Sequence, residues 1–194
     1  MISSKEELKE YLAQDAAANW RSTTKARLFG GDEVWRFIIE LRKKEYYSSF
    51  SKKRRILMAI PILINKFRYR KYSNICVFTI PPNVSKKGLS LPHRGNIVIN
   101  TTAEIGENCR IHQGVTIGST SGSRESAKIG NNVFIGSGAK LIGDITIADD
   151  VAIGANAVVT HSIYEKGTTW GGIPAKKISD NNSHSNLCPK LFES

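Results

Sequence analysis

From Ile105 onward, aliphatic side chains recur at every sixth residue: Ile105, Ile111, Ile117, Ile129, Ile135, Leu141, Ile147, Ile153 and Val159, with only Ser123 interrupting the series. Four residues after each slot, counting the Ser123 slot and leaving out that of Ile117, stands a small or aliphatic residue: Cys109, Val115, Ala127, Val133, Ala139, Ile145, Val151, Ala157 and Ile163. Glycine often follows the first position, as at Gly106, Gly118, Gly130, Gly136 and Gly154, where the chain must turn tightly and a Cβ is costly. An amphipathic helix would place apolar residues at i, i+3, i+4 and i+7, and a hairpin strand would alternate by two. Period six matches neither. It predicts short parallel strands joined by turns and stacked so that the aliphatic side chains form a continuous internal column.

The first half has helical spacing instead. Ser4 and Glu7 stand at capping-box distance, and Leu8, Tyr11 and Leu12 follow on one face, which predicts a helix from about Ser4 to Trp20. Gly30-Gly31 breaks the chain, after which Asp32 is placed to cap a second helix with Trp35, Ile38 and Leu41 on one face. A third helix is expected over Lys53–Tyr72 with a kink near Pro61. Its apolar stripe predicts burial against other helices or a neighbouring subunit, with a position flat on a membrane as the second reading. The expected organisation is a helical domain over 1–75, a β-helix over 76–180 entered at Pro81-Pro82, and a loosely ordered Asn- and Ser-rich tail over 181–194.

Charge distinguishes the two halves. The net charge is +11, and residues 1–90 carry 19 Lys and Arg against 8 Asp and Glu while residues 91–194 carry 9 of each. The run Lys52–Arg55 and the cluster Arg68, Arg70 and Lys71 would serve either as a solvated face or as a contact for an anionic membrane. No nucleic-acid-binding motif accompanies them, so nucleic acid is not an expected partner. The longest apolar run, Ile56–Ile64, is interrupted by Pro61 and falls well short of the about 20 residues a spanning helix needs. Met1–Glu10 lacks the order of a signal peptide, and Cys76, Cys109 and Cys188 lack the spacing of a disulfide framework or a zinc site. A cytoplasmic protein without a metal is the resulting expectation, with peripheral contact at the inner face of the membrane as the second reading of the charge.

Four segments then carry a resemblance: Gly114-Val115-Thr116-Ile117-Gly118, Ile135-Gly136-Ser137-Gly138-Ala139-Lys140, Ile153-Gly154-Ala155-Asn156-Ala157-Val158-Val159 and Gly172-Ile173-Pro174-Ala175-Lys176. Leu91 to Lys177 resembles the hexapeptide-repeat acyltransferases, in particular the serine acetyltransferase-like branch and the bacterial surface-polysaccharide O-acetyltransferases. The resemblance implies a mainly β fold, a left-handed parallel β-helix behind an N-terminal α-helical domain. It also implies acetyl-CoA as co-substrate and a homotrimer.

Acetyl transfer from a thioester needs a base for the hydroxyl proton, donors for the developing oxyanion and a slot for the CoA arm. His93, in Leu91-Pro92-His93-Arg94-Gly95-Asn96, resembles the segment holding the catalytic base, and it stands twelve residues before Ile105, in a slot otherwise filled by an aliphatic. Arg94, Asn96, His112 and Gln113 are the candidates for acceptor binding or for supporting the base. The family pattern carries acetyl-CoA contacts onto Ser137, Ala155 and Thr160, with Lys176 near the nucleotide phosphate. The serine-specific enzymes differ at three places: an Asp where this chain has Pro92, a carboxylate near Thr79, and a His near Ser126 or Ala127. Those differences point to a neutral sugar hydroxyl of a surface polysaccharide as acceptor, with serine O-acetylation for cysteine biosynthesis or a non-catalytic scaffold as alternatives.

Overall fold

A computed structural model describes residues 2–28 and 30–193. Four helices come first: α1 (Lys5–Ala18), α2 (Glu33–Ser48), α3 (Lys52–Leu57) and α4 (Ala59–Cys76). Ser4 caps α1 by accepting from Glu7 N, but the Glu7 carboxylate accepts from Ser3 N and Oγ, so the reciprocal half of the box falls one residue early. Asp32 precedes α2 without capping it, because its carboxylate is engaged by Arg21 and by Arg27 N. The expected third helix is two helices broken at Met58, three residues ahead of Pro61. Pro61 thus lies in the first turn of α4, where its missing N–H forfeits no helical bond.

The strands that follow are two to four residues long and wind into a triangular left-handed β-helix. The first sheet holds β1 (Phe78–Thr79), β2 (Ile97–Ile99), β5 (Thr116–Gly118), β8 (Lys140–Ile142) and β11 (Val158–Val159). The second holds β3 (Glu104–Ile105), β6 (Lys128–Ile129) and β9 (Thr146–Ile147). The third holds β4 (Arg110–Ile111), β7 (Phe134–Ile135), β10 (Ala152–Ile153) and β12 (Thr169–Gly171), and is closed by β13 (Lys176–Ser179), antiparallel to β12. The nine aliphatic positions of the sixfold series and the nine that follow them are all buried.

Ser123 breaks the series because six residues leave the coil there. Ile129 pairs with Ile147 and Ile135 with Ile153, a turn of 18, whereas Ile117 pairs with Leu141 and Ile111 with Ile135, a turn of 24. The surplus forms the largely exposed segment 119–125 at the corner between the first and second sheets.

The corner between the second and third sheets is held by a ladder. Asn108, Asn132 and Asp150 all take positive φ (56°, 55° and 61°), a conformation that Asn and Asp tolerate better than most residues. Gln14 Nε2 donates to Asn108 Oδ1 at 2.8 Å, Asn108 Nδ2 to Asn132 Oδ1 at 3.0 Å, and Asn132 Nδ2 to Asp150 Oδ1 at 2.9 Å. His184 Nε2 meets the same Asp150 oxygen at 2.8 Å, so the ladder runs from α1 to the tail. The tail is therefore ordered, against the loose segment expected from its composition. Ser183, Leu187 and Cys188 are buried, and the Phe192 ring stacks on His184.

Helices and coil share one core. Phe37 and Ile38 of α2 belong to the same buried cluster as Phe78, Ile97 and the aliphatic column. Arg42 fastens the junction: fully buried, it donates to Asp15, Glu45 and the carbonyls of Ser85 and Lys86, while Asp15 also accepts from Gly88 N and Leu89 N. Burial opposes the guanidinium charge, and the two carboxylates outweigh it and keep Arg42 protonated. The apolar stripe of α3 and α4, expected to pack, stays exposed in this chain, because α4 turns its other face, with Asn65 and Tyr69, toward α2. Among the described residues no helix is long and apolar enough to cross a membrane.

Candidate active site

The corner between the third and first sheets gathers most of the candidate residues. Pairing of Ile111 with Ile135 and of Ile135 with Ile153 puts Gln113, Ser137 and Ala155 in line on successive turns, two residues beyond each pair. The turn above is wider. Ser90 bridges Arg110 and Val98 pairs with Thr116, so the chain takes eight steps where the turn below takes six. His93 sits on that widened corner and is exposed. Leu91, 2% exposed, occupies the core slot that the sixfold count assigned to His93. Two extra residues thus spare the imidazole the cost of burial.

His93 meets His112 edge-on, with ring centroids 5.7 Å apart and planes at 82°. Arg110 Nε donates to His112 Nε2 at 3.2 Å, which leaves the ring proton on Nδ1, facing Ser137 Oγ at 3.3 Å. Burial, then the charge of Arg110, then His93 lower the pKa of His112, so its imidazole is neutral near pH 7. Phe134 packs on the His112 ring at 5.1 Å, and the Arg110 guanidinium lies over the Trp20 ring at 4.2 Å. Arg110 and Phe134 escaped the sequence reading. Their signal was present: each immediately precedes a column residue and so points outward beside His112. Trp20 had none, because it arrives from the end of α1.

Small residues line this corner, where Lys140 Nζ donates to Gly114 O. Gly114 and Gly138 take the positive-φ positions (78° and 75°) that Asn108 and Asn132 fill at the neighbouring corner. A Cβ on Gly138 would come within 2.1 Å of Asn156 Oδ1 and push that side chain aside, and the φ of 75° itself favours glycine. Gln113 Oε1 lies buried nearby with no hydrogen-bond partner among the described residues, an acceptor free for a ligand donor or water.

Arg94 and Asn96 are exposed on the His93 corner. Ala155 and Thr160 are exposed at opposite ends of β11, so Thr160 belongs to the next corner. Lys176 is exposed in β13, whose hairpin is tied to Val158 through Gly172 O and Ala175 N. Five of the candidates therefore converge, His93, His112, Gln113, Ser137 and Ala155. Arg94 and Asn96 flank them, and Thr160 and Lys176 lie toward the base. No cluster of three or more metal-ligating side chains occurs among the described residues. Burial pushes the Cys76 and Cys109 thiols up to about 12, which removes them as nucleophiles.

Residues 126–161, within the coil, match the family "Bacterial transferase hexapeptide (six repeats)". Over the whole chain the similarity is to serine acetyltransferases. The enzyme from Brucella abortus strain S19 superposes with a TM-score of 0.70 at 25% identity, covering 92% of this chain and 72% of that one. Its complex with coenzyme A gives 0.69 at 26% identity, covering 92% and 70%. The soybean apoenzyme gives 0.67 at 25% identity, covering 88% and 69%. No curated protein sequence matches this chain significantly.

Proposed function

We propose that this protein is an acetyl-CoA-dependent O-acetyltransferase that uses His93 as general base. The observation that carries the reading is the single corner on which an exposed imidazole stands above a track of small residues, Gly114, Ser137, Gly138 and Ala155. His93 takes the proton of the acceptor hydroxyl as its oxygen attacks the thioester carbonyl. The tetrahedral intermediate then collapses, the C–S bond breaks, and the imidazolium returns its proton to the CoA sulfur. Neutral His112, held by Arg110, orders the polar side of the corner. The pantetheine arm lies along the glycine track, beside the Lys140 ammonium that donates to Gly114 O, and Lys176 provides a cation for a phosphate of CoA.

For the acceptor, the solved structures favour L-serine over the sugar expected from sequence, since all three are serine acetyltransferases. One observation supports a sugar hydroxyl as the second reading. No Asp or Glu occurs between residues 46 and 103, so the segment that carries His93 offers no carboxylate to an α-amino group. Thiol release from acetyl-CoA, measured with L-serine and with a panel of nucleotide sugars and glycans, tests both. Turnover with serine alone establishes the first reading and turnover with a glycan alone the second. Release with neither acceptor defeats the enzyme assignment.

A further inference from the structure

The exposed face of α3 and α4 has no role in the chemistry above, and its composition is unusual for a surface. Ile56, Leu57, Ile60, Leu63 and Phe67 are 76%, 83%, 73%, 67% and 72% exposed. At 100° per residue, Ile60, Leu63, Ile64 and Phe67 fall within one stripe about 100° wide along α4. The orientation is fixed from behind. Asn65 Nδ2 donates to Glu40 O and Oε2 at 2.9 and 2.8 Å, and the Tyr69 hydroxyl donates to Ile80 O at 2.7 Å.

Cations border the stripe on both sides. Lys66 and Arg70 follow one edge and Arg68 the other, Lys71 stands at the C-terminal end, and α3 presents Lys52–Arg55 ahead of Ile56. Among the described residues no carboxylate pairs with Lys52, Lys53, Lys66, Arg70 or Lys71, and Arg68 approaches Glu40 only at 3.6 Å. A groove of about 460 Å³ opens beside the stripe, with Ala59, Ile62 and Leu63 among its apolar lining and Lys44, Arg55 and Lys66 also lining it.

We propose that α3 and α4 dock this protein onto an anionic lipid bilayer, with the stripe in the acyl boundary and the flanking Lys and Arg on headgroup phosphates. Apolar side chains flanked by cations are the pattern of a helix lying in the plane of the interface, and α4 is too short and too polar to cross it. Charge complementarity selects lipid over a second copy: two such faces brought together would oppose like charges with no acid between them. The inference does not depend on which acceptor is acetylated.

The test is co-sedimentation of the full chain with vesicles of phosphatidylcholine alone and of phosphatidylcholine mixed equally with phosphatidylglycerol. Binding is expected to the mixed vesicles and not to the neutral ones. Lys66→Gln, Arg70→Gln and Lys71→Gln together should weaken it by about fivefold per charge at low salt, and this loss should shrink as salt screens the headgroups. Leu63→Ser with Phe67→Ser should weaken it at all salt concentrations. Both side chains are exposed, so folding and turnover of a soluble acceptor should be kept, which separates this outcome from failure of the enzyme assignment. The proposal is overturned if the wild type ignores the mixed vesicles at low salt. It is equally overturned if the Leu63/Phe67 variant binds them as well as the wild type, or if that variant dissociates an oligomer while the wild type ignores lipid.

Discussion

Arg42 Nε donates to Asp15 Oδ2 at 2.7 Å with both side chains wholly buried, and this pair locks α1, α2 and the first turn of the coil together. Asp15→Ala would leave the guanidinium buried with Glu45 as its single carboxylate and would strip Gly88 N and Leu89 N of their acceptor. A loss of about 3–5 kcal/mol is expected, read as a lowered urea midpoint. A change below about 1 kcal/mol would show that the helices are held by the shared apolar core alone.

His93→Ala should lower turnover by about 100-fold or more, as expected for removal of a general base, with CoA affinity little changed. Steady-state kinetics with isothermal titration of CoA checks both halves. Full activity in the variant would pass the role to His112.

The lowered pKa of His112 has a definite sign for stability. The imidazole is neutral in the fold, whereas in the unfolded chain it takes up a proton near pH 6.5, so its contribution is present above about pH 6.5 and is lost as pH falls through the lower folded value. His112→Gln should remove that part of the acid-side loss in urea titrations. Arg110→Gln should move the His112 titration upward, as followed by imidazole NMR, and an unmoved titration would refute the coupling.

Deleting residues 120–125 should leave the fold intact. The deletion joins Ser119 to Ser126 and brings Ile117 and Ile129 six steps apart, the spacing of Leu141 and Ile147 on the next turn. Cooperative thermal unfolding with an unchanged far-UV spectrum is the expected result. Aggregation or loss of the transition would mean that the segment holds the coil together.

A corner that is exposed on a lone prism gives the CoA arm only one wall. A homotrimer would supply the second from a neighbouring coil, so light scattering should give three times the chain mass of 21.5 kDa. A fully active monomer would contradict this expectation.

The sequence by itself determined the coil, because a β-helix repeats one environment many times and each turn writes the same requirement into the chain. Eighteen buried positions were legible from a period of six, and the alignment of Ser137 with Ala155 follows from the same count, whereas Gln113 joins them only because the turn before Ser137 is 24 residues long. Only the tertiary structure decided where the count slips. Two extra residues move His93 out of the core slot taken by Leu91, and six more leave the coil at 119–125, since a turn tolerates insertion wherever the chain can bulge into water. Contacts between distant segments were equally hidden. Nothing local to Trp20 announces Arg110, and nothing in the Asn- and Ser-rich tail announces that His184 closes a ladder begun by Gln14. Such contacts depend on which surfaces the completed coil offers, and that is settled by packing rather than by any period in the sequence.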